Sequence, residues 1–181
     1  MQFKKTFIKN GQKVEIVFRE PKLSDAKAAM EFINKFVDEK SYVAMQEKIT
    51  LTNEKKWLKA TMKKISKKEM TSVFALYNNK IIGSCGVERC DTTTSHTGKI
   101  GIAIAKDYRG IGLGKFMMKL LMNEAKKRLK SEIVVLHVYS PNNPAQKLYK
   151  KLGFRVAGSI PRGIKHHGKY MDDIIMYRNM K

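Results

Sequence analysis

For its length the chain is poor in acidic side chains and in cysteine. Its 181 residues include two cysteines, Cys85 and Cys90. Two are too few for a disulfide framework, and without nearby histidines they make no zinc site, so no metal is expected. No apolar run approaches the roughly 18 residues that cross a bilayer. The N-terminus, Met1-Gln2-Phe3-Lys4-Lys5, leads into no apolar h-region; a signal peptide is not expected, and a cytoplasmic location is. Internal repeats, low-complexity tracts and linkers are also missing, and the length suits one domain over residues 1–181. Asp and Glu number 16 against 37 Lys and Arg, a formal charge of +21. That excess points to an anionic partner: a nucleic acid, a phosphorylated cofactor or an acidic surface. It also suits plain solvation of helices, because Lys55, Lys56, Lys59, Lys63, Lys64, Lys67 and Lys68 spread around a helix rather than along one stripe. No RNA-binding motif accompanies them, so nucleic acid is not expected as the main partner.

Glycine is present where it matters. Gly110, Gly112 and Gly114 alternate between an apolar run over 99–105, read as a strand, and a helix over 113–129. Glycine permits positive φ and brings the backbone close to a ligand. The first turn of a helix offers unpaired N–H groups and the positive end of the dipole. Together they suit a phosphate or pyrophosphate; the alternative is a connection without a ligand. A P-loop is excluded because Gly114-Lys115 is followed by Phe116 rather than Ser or Thr. The dinucleotide fingerprint is excluded by the strict alternation and by the apolar Ile133, Val134 and Val135 where its acidic residue belongs.

Around this loop the pattern reads as mixed α/β. Residues 13–19 alternate as a half-buried strand. Ser24 and Asp25 can cap a helix to about residue 37. Residues 38–52 are irregular, and a second helix covers 54–66. Strands at 72–77 and 81–88 flank the turn pair Asn78-Asn79, and 96–105 completes a meander. After the helix, 132–138 is a continuous apolar run, read as a central strand buried on both faces; strand, helix and strand here form a right-handed parallel crossover. A short helix, 144–152, ends at Gly153. Strands at 154–160 and 169–177 flank a basic turn over 163–168.

Arg109-x-x-Gly112-x-Gly114 on a strand-loop-helix resembles the cofactor loop Gln/Arg-x-x-Gly-x-Gly/Ala of the GNAT superfamily of N-acetyltransferases. A second stretch, Asn142-x-x-Ala145-x-x-Leu148-Tyr149-x-x-x-Gly153-Phe154, is similar to that family's later motif. The likeness covers nearly the whole chain in element order. It implies a mixed, mostly antiparallel central sheet of about six or seven strands, splayed between the fourth and fifth, with about four helices. It implies acetyl-CoA as cofactor. The N–H groups of Arg109, Gly110, Ile111, Gly112, Leu113, Gly114 and Lys115 would then hold the pyrophosphate. Ile102, Ala103 and Ile104, on a strand expected to carry a bulge, would pair with the pantetheine arm. Asn142 would bond that arm, cap the next helix, or both.

The implied reaction is direct attack of an amine on a thioester in a ternary complex, for which holding both reactants together supplies much of the acceleration. Tyr149 matches the family tyrosine that protonates the departing thiolate; its alternative is core packing. Glu88, His96 and His137 are candidates to accept the amine's proton, with none singled out. The acceptor pocket would draw on residues 37–52 and 159–173, with Tyr42, Met45, Arg162, His166, His167 and Tyr170 as candidates to line it. Three readings remain at this point: transfer to a small-molecule amine or amino acid, transfer to a protein α-amine or lysine, and a basic RNA- or ribosome-associated protein that uses the fold for binding only. Whether the chain forms a homodimer stays open.

Overall fold

The computed structural model describes residues 2–180. Eight strands form one sheet in the order β1-β2-β3-β4-β5-β6-β8-β7. They are β1 (Gln2–Lys9), β2 (Gln12–Arg19), β3 (Met70–Tyr77), β4 (Lys80–Arg89), β5 (Thr97–Ile104), β6 (Ile133–Tyr139), β7 (Arg155–His166) and β8 (Lys169–Asn179). Every neighbouring pair is antiparallel except β5 with β6. Four helices, α1 (Ala26–Asp38), α2 (Leu51–Ser66), α3 (Leu113–Glu124) and α4 (Asn143–Lys151), complete the fold.

Residue parity along β3 shows how the layers form. Val73 and Ala75 belong to the cluster that holds α3, whereas Phe74 and Leu76 join Ala26, Phe32, Phe36 and Leu58 of α1 and α2. Both faces of β3 are therefore covered, and its apolar run is continuous. On α3, Leu113, Met117, Met118, Leu121 and Met122 all point to the sheet, each contributing on the order of 1.5–3 kcal/mol by leaving water. Arg19 forks onto Asp25, with N–O distances of 2.7 and 2.6 Å, and so ties β2 to the start of α1.

Three expectations are corrected. The sheet has eight strands because β1, unread in the sequence, pairs with β2 through Asn10 and Gly11, both at positive φ; Asn-Gly is the usual pair for such a turn, and it was the available signal. The helix expected over 113–129 widens into a π-turn at Ala125–Leu129. The turn expected over 163–168 shrinks to His167 and Gly168, because β7 continues past two register shifts to His166.

Candidate active site

The site begins where β6 leaves β5. Only Thr97, Gly98 and Lys99 pair with β6, against Ile133, Val134 and Val135. Beyond them β5 stays on β4 while β6 stays on β8 as far as Tyr139 and Asp173. A V-shaped gap opens between the strands, the splay expected from the sequence. Close packing fixes its closed end: a Cβ on Gly98 would lie 2.6 Å from Val87. The bulge expected in β5 is not found. Its ladder with β4 runs in unbroken register from Gly98–Arg89 to Ile104–Gly83, so the gap arises from the departure of β6. Nor is β6 buried on both faces: Val134, Leu136 and Val138 are buried, but His137 on the other face is exposed because it borders the gap.

One wall is the glycine loop. Gly110 and Gly112 adopt φ of +82° and +84°, and Gly112 is the N-cap of α3. The first backbone bond of that helix is Phe116 N–H to Gly112 O. The N–H groups of residues 110–115 therefore carry no hydrogen bond among the described residues. Added Cβ atoms on Gly110 or Gly112 would meet nothing within 4 Å, while one on Gly114 would press Leu148 of α4 at 3.3 Å. The Arg109 N–H, expected to be free, instead donates to Lys106 O. Its side chain turns back, with Nε donating to Ile104 O at 2.9 Å. Gly101, Ile102, Ala103 and Ile104 have β4 as their only strand partner, so their other edge faces the gap. Asn142 Oδ1 accepts from Ala145 N–H at 3.4 Å and caps α4.

Tyr149 lies under this wall, 8% exposed and packed beside Phe154. Burial, helped by the nearby Cys85 thiol, pushes its phenol up to about 12. Cys85 itself stands opposite Ile102 in the ladder.

The other wall is assembled from distant segments. His137 Nδ1 lies 2.7 Å from Asp173 Oδ2, and Asp173 Oδ1 is buried without a partner among the described residues. Tyr139 donates to Val43 O at 2.9 Å. The rings of Tyr42, Tyr139 and His166 cluster with centroids 5.3–5.9 Å apart. Burial, and His167 beside it, push the His166 imidazole below its ordinary range. Gln46 donates to Lys165 O at 2.9 Å and accepts from His167 N–H at 2.8 Å. The connection between α1 and α2 is thereby strapped over the β7–β8 hairpin.

Several sequence candidates lie elsewhere. Glu88 stands opposite Lys99, on the part of β5 still paired to β6, and its carboxylate holds Lys64. His96 precedes β5, and its carbonyl accepts from Glu132 and Ile133 at the closed end. The pattern could not show which end of the strand opens. Tyr170 is 52% exposed with the Arg162 guanidinium over its ring. Arg162 thus serves the hairpin, and its N–H is held by Asp172. Met45, at the strap, is 40% exposed. Tyr139, Gln46 and Asp173 were missed, since no local motif marks them.

A mixed sheet splayed beside a glycine-rich helix N-terminus leaves one gap, bordered by unpaired N–H groups on one side and by polar side chains on the other. The chain belongs to the acetyltransferase (GNAT) family, whose model matches residues 31–154. Members are acetyl-CoA-dependent acyltransferases. The SPbeta prophage-derived N-acetyltransferase YokL of Bacillus subtilis is 30% identical over 122 residues, 67% of each chain. L-amino acid N-acetyltransferase AaaT of Escherichia coli is 29% identical over 84 residues, 46% of this chain and about half (52%) of that protein. Among solved structures, a GNAT-family acetyltransferase from Streptococcus pneumoniae superposes with a TM-score of 0.80 at 25% identity, covering 91% of this chain and 99% of that one. The yncA protein of Salmonella typhimurium, solved with its cofactor acetyl-CoA, gives 0.79 at 20% identity over 92% and 94%.

Proposed function

We propose that this protein transfers an acetyl group from acetyl-CoA to the primary amine of a small molecule or amino acid, by direct attack with both reactants in the gap. The observation that carries this reading is the pairing of the two walls: unpartnered N–H groups at a helix N-terminus on one side, an oriented imidazole on the other. The residues present fit the cofactor. Six free N–H groups beside two glycines at positive φ suit a pyrophosphate, and the unpaired edge of Ile102, Ala103 and Ile104 suits the pantetheine amides. When bound, acetyl-CoA supplies a thioester activated toward amines.

The chain's own groups supply the rest. Asp173 Oδ2 accepts a hydrogen bond from His137 Nδ1–H, which favours the tautomer with a lone pair on Nε2. Nε2 then takes the proton that the acceptor's ammonium must lose before it can attack. Tyr149 holds a proton for the departing sulfur, and its burial keeps the phenol neutral at working pH. The strap of residues 41–46 is bonded across the β7–β8 hairpin on the acceptor side, which supports a small amine over a peptide. A thiol-release assay with acetyl-CoA against amines, amino acids and peptides tests this. Small amines or amino acids are expected to turn over fastest. Faster turnover of peptide N-termini would move the acceptor to proteins.

A further inference from the structure

At the closed end of the V, away from both walls, the ends of α2, β4 and the π-turn enclose an open depression of about 710 Å³. Its charged lining is Lys67, Lys68, Arg89, Lys127, Arg128 and Lys130, beside His96, with no carboxylate among the lining residues. Arg128 pairs with Glu20 at 2.7 Å; the other five cations make no ion pair among the described residues. Basic residues near helix C-termini are favoured by the dipole, which accounts for some of them but not for three elements converging on one hollow.

Lys68 and Lys130 adopt φ of +58° and +57° where their helices end. At Lys68 the N–H groups of Lys68 and Glu69 bond Ile65 O and Lys64 O, the Schellman pattern whose left-handed position is normally glycine. A lysine there carries backbone strain that glycine avoids. Lys40 ends α1 in the same pattern at φ of +49° and lies outside the hollow, so the conformation gives a way to vary Lys68 and Lys130 without strain rather than a mark of the hollow itself.

We infer that this depression docks the phosphate backbone of double-helical RNA. Its lysines are exposed, which suits a polyelectrolyte that sheds counterions rather than one small anion needing fixed donors. The lining holds no aromatic ring other than His96, so unstacked bases have no platform of the kind single-strand binders use. The deep, narrow major groove of A-form RNA is flanked by phosphate rows that cations from three elements can meet together.

The test is the double variant Lys68→Gly/Lys130→Gly, titrated with a short blunt-ended RNA duplex by fluorescence anisotropy over a salt series. Affinity is expected to fall on the order of tenfold, and the slope of log affinity against log salt by about two. Its melting temperature should be no lower than wild type, because glycine relieves the left-handed strain, and thiol release from acetyl-CoA should be unchanged. The control Lys147→Gln/Lys150→Gln, with the same loss of charge on α4, should bind as wild type. The proposal is overturned if the double variant binds as wild type, if the control loses as much, or if a DNA duplex of the same sequence binds equally well.

Discussion

The two walls of the gap are built in different ways. The cofactor wall is nearly one continuous piece of chain, residues 101–115, in which strand, loop and helix follow one another. The acceptor wall takes His137 from β6, Asp173 from β8, His166 from β7, and Tyr42 and Gln46 from the connection after α1. One of its bonds, His166 to Ser41 O, spans 125 positions. A contiguous wall is set by its own backbone, whereas an assembled wall shifts when any contributor moves. Binding of the carrier and recognition of the amine should therefore separate under mutation.

The sharpest break is His137→Gln. We expect kcat to fall about 10²- to 10³-fold with the KM for acetyl-CoA unchanged. Asp173→Asn should give a smaller loss, because it leaves the imidazole in place but weakens the bond that orients it. Wild-type kcat in the histidine variant would remove the base from this wall.

Tyr149→Phe should lower kcat by about 10- to 100-fold without changing either KM. The same phenol makes a pH prediction. Its folded value is raised from 10.0 to about 12. The unfolded chain therefore releases this proton first, and stability present below pH 10 is lost as pH rises toward about 12. Denaturant unfolding across that range should show the phenylalanine variant losing less than wild type, by up to about 2 kcal/mol.

Gly112→Val tests the cofactor wall alone. A β-branched residue resists φ of +84°, so the helix start must rearrange. The KM for acetyl-CoA should rise about tenfold while the acceptor KM holds. The smallest effect expected is from Gln46→Ala, which frees the strap from Lys165 and His167. Losing these bonds, on the order of 1 kcal/mol, should raise the acceptor KM a few-fold and leave the acetyl-CoA KM alone. Equal shifts in both constants, in either variant, would mean that the walls are coupled.

Much of the cofactor wall was legible from residue order. Alternating glycines after an apolar run located the loop, and the spacing from Asn142 to Phe154 placed Tyr149 on its helix. Errors arose where one segment depends on another. The Arg109 N–H was spent on a local turn with Lys106. Glu88 and His96 lie on or beside suitable strands, but at the end that stays paired. The run at 132–138 resembled a doubly buried strand because its composition does not show that a neighbour departs after Val135.

What the sequence alone determined is the order of the elements, the glycine-flanked helix start and the excess of positive charge. These depend on conformational freedom and periodicity over a few residues. Only the tertiary structure decided that β6 leaves β5, that Asp173 orients His137, that Gln46 ties the strap down and that cations from three elements share one hollow. Those are contacts between segments far apart in the chain, and they form only when burial of the apolar faces brings the segments together.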